Sequence, residues 1–204
     1  MIKKLIKILS GALLVVVLMI LYLSFVGIKT EKFNKRITNK IEKINKKINL
    51  DLKDVQFLLD PYSFSVNITT KNSTILLGSK RLQIKDIKTN ISLKALIYDE
   101  FSIDDLQIST KSNKLKDIIS LAKSFKNSAE LLIFDKIIED GFLTADINLK
   151  FDDEGKIKED YKVNGFIKNT DFNFSDQHNI DNLNFEFNVI KKKYLFTNIK
   201  VDFN

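Results

Sequence analysis

Residues Ile8 to Ile28, ILSGALLVVVLMILYLSFVGI, run for 21 residues without a charged side chain. At ~1.5 Å rise per residue, a helix of that length matches the ~30 Å hydrocarbon layer of a bilayer. A helix is also the one way a single segment satisfies its own backbone inside that layer. Tyr22 and Phe25 lie toward the far end, where aromatic side chains suit the interface. A cleaved signal peptide has a shorter apolar stretch, ~7–15 residues, closing on small residues. This run closes on Phe25-Val26-Gly27-Ile28-Lys29, so it is expected to stay on the chain as an anchor within residues 1–28.

The net charge of +7 belongs to the flanks of that anchor. Lys3, Lys4 and Lys7 give +3 over residues 1–28, and eight bases against Glu31 and Glu42 give +6 over 29–50. Over residues 51–204, 22 bases meet 24 acids, leaving −2. A body so balanced has no basic face for a phosphate backbone, which argues against nucleic acid as a partner. Counted literally, the heavier basic flank would put the C-terminal side in the cytoplasm, although that rule weakens when a whole domain must cross.

Beyond the anchor, Phe33, Ile37, Ile41, Ile44 and Ile48 recur at helical spacing with lysines between them, predicting a basic amphipathic helix over 29–49. Its narrow stripe suits packing on the body better than lying on lipid. After Leu50 the period changes to two. Phe64, Val66 and Ile68 alternate with polar residues across Ser63–Thr70. Leu143, Ala145, Ile147, Leu149 and Phe151 do the same, as do Leu183, Phe185, Phe187 and Val189. Such alternation is the mark of antiparallel strands with one apolar and one wet face. The expected fold is therefore mainly β over residues 50–204, with turns at Asp60-Pro61-Tyr62-Ser63, Leu77-Gly78-Ser79, Glu139-Asp140-Gly141 and Asp152-Asp153-Glu154-Gly155. A helix is expected over about 114–126, from Leu115, Ile118, Ile119, Ala122 and Phe125. The stretch 130–138 fits helix or strand.

A small pattern recurs: an apolar residue, any residue, Asp or Asn, and a second apolar residue. Its copies are Leu52-Lys53-Asp54-Val55, Ile84-Lys85-Asp86-Ile87, Ile103-Asp104-Asp105-Leu106, Ile180-Asp181-Asn182-Leu183 and Phe196-Thr197-Asn198-Ile199. Each slips the alternation by one residue, as a β-bulge does.

Little in the chain suggests chemistry. There is no Cys, hence no disulfide framework and no thiolate metal site. His178, the single histidine, sits in a polar run and reads as a surface residue. Asp152–Lys156 lacks the ligand spacing of a calcium loop and reads as a turn. No nucleophile sits beside a base, and no glycine loop is built for phosphate. The chain is expected to be non-catalytic, without metal or cofactor.

The order of parts resembles the N-terminal region of the AsmA-like family of Gram-negative envelope proteins. The matching features are the anchor Ile8–Ile28, the helix to Asn49, Leu50-Asp51-Leu52-Lys53-Asp54-Val55, and Phe64-Ser65-Val66-Asn67-Ile68. Leu82-Gln83-Ile84-Lys85-Asp86-Ile87, Ile103-Asp104-Asp105-Leu106 and Ile138-Glu139-Asp140-Gly141-Phe142-Leu143 follow in the same order. The resemblance implies a β-groove with an apolar lining, anchored in the inner membrane with its body in the periplasm, and conducting phospholipid. Family members are generally far longer, so the chain reads either as the start of a longer groove or as a short relative that anchors without bridging. The groove lining is expected from Phe64, Val66, Ile68, Leu143, Ile147, Leu149, Leu183, Phe185, Phe187 and Val189. The other reading is a scaffold whose closed β-sandwich binds an envelope protein partner, because an open groove and a closed core write the same alternation.

Overall fold

The computed structural model describes residues 2–31, 34–35, 38–39, 46–53, 55–98, 103, 105–125, 128–152, 157–175, 178–191 and 193–202. The apolar run is helical as far as Phe25, within α1 (Ile2–Phe25), of which no residue is buried, and not to Ile28, which opens a strand. Twelve strands follow: β1 (Ile28–Thr30), β2 (Ile48–Asp51), β3 (Val55–Asp60), β4 (Ser65–Lys71), β5 (Thr74–Leu77), β6 (Lys80–Ser92), β7 (Asp105–Thr110), β8 (Asn113–Lys114), β9 (Ile138–Lys150), β10 (Lys162–Ser175), β11 (His178–Ile190) and β12 (Lys193–Asp202). Three short helices interrupt them: α2 (Leu93–Ile97), α3 (Leu115–Phe125) and α4 (Ala129–Ile137).

The strands make one antiparallel sheet in the order β1-β3-β4-β6-β7-β9-β10-β11-β12, with β2, β5 and β8 alongside. Its path does not close on itself, so the fold is an open sheet and not a sandwich.

The strands break along one diagonal. β2 and β3 are successive halves of one strand, as are β4 and β5, which share β6 as neighbour. Between β4 and β5, Asn72 takes φ 54°, its N–H bonds Lys85 O, and the Ile84 N–H bonds Ser73 O. β6 shifts register against β7 between Ile84 and Asp86. β7 and β8 again split one strand, both pairing β9. At that split the buried Asn113 side chain replaces a missing backbone partner. Its Oδ1 accepts the Gln83 N–H at 2.6 Å, and its Nδ2 donates to Gln83 O and Lys111 O. The line continues through Asn169 in β10, Asn182 in β11 and Asn198 in β12, with φ of 48°, 52° and 54°. Asn accepts this left-handed backbone more readily than most residues, which explains its place at the slips.

The slip pattern therefore reports real bulges at Ile84–Ile87, Ile180–Leu183 and Phe196–Ile199, and a strand break at Leu52–Val55. Asp104 of the remaining copy lies outside the described residues. A bulge puts the apolar residues on either side of it on the same face: Leu52 and Val55 share a buried cluster with Leu50, Phe57, Ile68 and Ile75.

Several expectations need correcting. The segment 29–49 is not helical throughout, because its ends pair as β1 and β2 and Ile48 is buried in a strand. Asn34, Lys35, Thr38 and Asn39 are helical, whereas Phe33, Ile37, Ile41 and Ile44 lie outside the described residues. Asn34 Nδ2 and Thr38 Oγ1 donate to Leu52 O and Leu50 O, holding this helical stretch on β2. Glu139-Asp140-Gly141 is no turn but a bulged part of β9, and His178 of the polar run opens β11. Residues 130–137 are helical, with Ser128 as N-cap accepting the Leu131 N–H. The helix expected over about 114–126 forms as Leu115–Phe125, with Lys114 in β8, and the hairpin at Gly78 forms as expected.

The β3–β4 turn is held by Asp60, whose carboxylate accepts the Tyr62 and Ser63 N–H groups. The Ser63 hydroxyl, then its N–H, keep that carboxyl below its ordinary range. The contribution is present above the ordinary Asp range and is lost as acid titrates through the depressed value.

Gly141 sits in the bulge of β9 at φ 135°, and a Cβ there would lie 2.4 Å from the buried Thr170 hydroxyl. Gly78, also at positive φ, has open space around it. Gly141→Ala is expected to cost about 2–4 kcal/mol and Gly78→Ala about 1 kcal/mol. Thermal melts followed by far-UV circular dichroism check the difference.

Candidate functional site

The register aligns apolar residues into rows across the sheet. One row runs Val55, Thr70, Ile87, Ile108, Ile147, Val163, Val189, Tyr194, one residue from each of eight strands. At ~4.8 Å between strands that row is roughly 34 Å long. Beside it lie Phe57, Ile68, Thr89, Leu106 and Leu149. On the other side lie Ala145, Gly165, Phe187 and Phe196, then Leu143, Ile167 and Phe185. The rows form one continuous apolar face.

Nine of the ten expected lining residues are on strands of this face. Ile147 and Val189 stand in the long row, Ile68 and Leu149 in the second, Phe187 in the third, and Leu143 and Phe185 in the fourth. Val66, opposite Leu59, shares the face of Ile68 by alternation, and Leu183 lies opposite the buried Thr170. Phe64 is the exception. It sits in the β3–β4 turn at φ 50°, is 72% exposed, and β4 begins only at Ser65. The face also takes in Phe57, Ile87, Leu106, Ile108 and Val163, which a scan for long alternating runs passes over because their strands are short or bulged.

Cover for this face is partial. α3 and α4 lie over one end, where Leu115, Ile119, Leu131 and Ile137 pack on Ile138, Leu143, Ile167 and Phe172. Lys80 ties α3 to β6 through Asp117 at 3.5 Å and the Ser120 hydroxyl. Away from that end, Ile87, Ile108, Ile147, Val163, Phe185, Phe187 and Val189 are only half-buried. Phe187 stays low on the sheet because its neighbour is glycine. A Cβ at Gly165 would come within 2.8 Å of the Phe187 ring. The ring in turn stands near Phe185, which meets Phe196 edge-on at 5.6 Å between centroids.

The opposite face is wet. Asn67, Thr69, Lys88, Asn90, Gln107 and Lys150 line a broad concavity of about 820 Å³ there, and Asn90 Nδ2 donates to both Ser65 Oγ and Asn67 Oδ1.

The apolar face meets α1 without a linker. α1 ends with the Val26 and Gly27 N–H groups both donating to Tyr22 O, and Gly27 takes φ 69°. Gln56 Nε2 donates to Val26 O, and a Cβ on Gly27 would stand 2.2 Å from Phe57 O. Ile28 then pairs directly with Phe57, so it belongs to the apolar face. α1 is long and apolar enough to cross a membrane, with a mean hydropathy of 2.6.

No protein-family model, curated protein or solved structure matches the chain.

Because Phe185 is half-buried, Phe185→Asp is expected to cost about 1–2 kcal/mol and to leave the β-sheet spectrum intact. Ile91, fully buried, makes the contrast. Ile91→Asp should abolish folding, as read by circular dichroism and limited proteolysis.

Proposed function

We propose that this chain is a non-catalytic protein of the inner membrane, held by α1, whose sheet lies in the periplasm and binds or conducts phospholipid along its apolar face. The observation that carries this reading is the position of Ile28, on the apolar face and three residues beyond the end of α1 at Phe25. An acyl chain leaving the bilayer beside the anchor would meet an apolar surface at once. Burying it there would recover up to ~0.8 kcal/mol for each CH₂ removed from water. The half-buried rows supply the complementary need, since an apolar face of this extent is rare on a soluble surface without a partner. Resemblance to the AsmA-like family points the same way and supports the choice of compartment.

A second reading is a scaffold for an envelope protein. It calls for no lipid, so lipid capture separates the two. With a photoreactive benzoylphenylalanine in place of Phe187, irradiated cells should yield a phospholipid adduct of the full chain. The same residue in place of Phe166, on the opposite face, should not. Equal labelling at both positions, or none, would remove the lipid reading.

For topology, alkaline phosphatase fused after Asp60 should be active, with Met1–Lys7 in the cytoplasm. An inactive fusion, paired with an active cytoplasmic reporter at the same site, would reverse the orientation.

A further inference from the structure

We propose that the end of the sheet carrying the β3–β4 turn rests on the bilayer that holds α1, with Tyr62, Phe64 and Tyr98 seated among the lipid headgroups. The inference rests on the α1 anchor of the reading above and not on lipid movement along the apolar face. Among the described residues beyond α1, these three are the most exposed aromatic side chains, at 97%, 72% and 67%. They share one end of the fold. Tyr62 and Phe64 lie in the turn between β3 and β4, and Ser65 after that turn pairs with Ser92, from which α2 leads to Tyr98.

Register brings α1 to that end too. Ile28 pairs antiparallel with Phe57 and Thr30 with Val55, so the chain enters β1 from the side of Leu58–Asp60. A Cβ on Gly27 would stand 2.8 Å from Leu58 Cδ2, and α1 itself touches β3. The turn at Asp60 is then only about 10 Å along β3 from Phe57. Tyr22 and Phe25, both exposed, close α1. Five exposed aromatic side chains thus belong to the end of the sheet where the anchor joins it. That is the level at which amphipathic rings collect on membrane proteins.

Phe64 is held outward by its backbone. It takes φ 50°, a left-handed conformation rare for a bulky residue. Its carbonyl accepts the Leu93 N–H at 2.8 Å, the Asp60 carboxylate fixes the turn before it, and the Ser63 and Ser65 hydroxyls share a 2.6 Å bond. The body gives the ring little cover, so the strained position points to a contact outside it. Charges at this end are mixed: Lys29 and Lys94 are exposed, Asp60 caps the turn, and Asp99 and Glu100 follow Tyr98 in sequence. The rings, and not attraction to anionic headgroups, therefore supply the contact. Tyr suits that level, with an apolar ring and a hydroxyl for the headgroups. Seated there, the turn gives the body a second hold on the membrane beyond Gly27.

The chain has no cysteine, so one introduced thiol carries one probe. Tyr62→Cys, Phe64→Cys, Val17→Cys and Ser79→Cys variants of the full chain, each labelled with the fluorophore NBD, are reconstituted into phosphatidylcholine vesicles with or without nitroxide-labelled phosphatidylcholine. Val17 lies within α1 and reports the anchor, whereas Ser79 is exposed in the β5–β6 hairpin, at the far end of β6 from Ser92. Labels at 62 and 64 should lose more emission to a nitroxide high on the acyl chain than to one near its end. The label at 17 should do the reverse, and the label at 79 should keep its emission. The loss at 62 and 64 should persist in salt that screens exposed charges. With the label at 62, Phe64→Ser and Tyr98→Ser together should lessen its loss and leave that at 17 unchanged. Loss at 17 alone, or equal loss at 62, 64 and 79, would overturn the docking and leave the anchor standing. Emission kept at 17 would remove the anchor and the docking with it. Loss at 62 and 64 that salt abolishes, or that the two serines leave unchanged, would overturn the role of the rings. Labels at 62 and 64 shielded from water but not quenched would give this end to a protein partner instead.

Discussion

The sheet depends on keeping its backbone breaks in step from strand to strand. A bulge in one strand leaves a residue unpaired, and an unmatched neighbour would carry the mismatch on as unsatisfied N–H and C=O groups. Here each break meets another. Asn72 and Ser73 bond across to Lys85 and Ile84, Lys111 and Asn113 bond Gln83, and the Asn182 N–H donates to Asp171 Oδ1. The cost of a left-handed backbone is limited by placing Asn at four of the six described non-glycine positive-φ positions, Asn72, Asn169, Asn182 and Asn198; the other two, Phe64 and Lys191, lie in turns. Without these matched breaks the strands could not hold apolar residues on one face across both halves of their length.

Much of this was legible in the chain. Strict alternation located the middle of β9 and of β11, and the apolar–x–Asn–apolar slips marked the bulges at Asn182 and Asn198. What escaped was the part governed by distant partners. Glu139-Asp140-Gly141 has the composition of a turn, yet pairing with β10 keeps it in a strand, and Gly141 serves close packing against Thr170. The helical spacing of 29–49 ends in residues that pair with β3 and β5, so tertiary hydrogen bonding overrode local period at both termini. Phe64 fits the alternation of β4, but the Asp60 turn claims its backbone first. In the candidate site, the strand members of the face followed from parity, whereas Phe57, Leu106 and Val163 needed the register to be found.

Gly27 joins the two halves of the molecule. Its missing side chain lets the end of α1 come against Phe57 O, and its positive φ turns the chain into β1 within one residue. A flexible linker would leave the apolar face at an arbitrary distance from α1. The Gly27 turn instead fixes Ile28 as the first residue of that face, and the Gln56 hydrogen bond to Val26 O adds a second tie. On the proposed function, a lipid taken up beside α1 would enter the sheet at its β1–β3 edge.

The two edges of the sheet face different problems. β1 presents only three residues, so little of its backbone is open to a stray strand. β12 presents ten residues, apolar side chains on both faces and only scattered charge. Edge strands on soluble proteins are usually blunted by being short, charged or strongly bulged, and β12 has a single central bulge with lysines near its ends. That bulge would disrupt pairing with a regular strand, because parity inverts halfway along. Any strand that pairs there must invert at the same point.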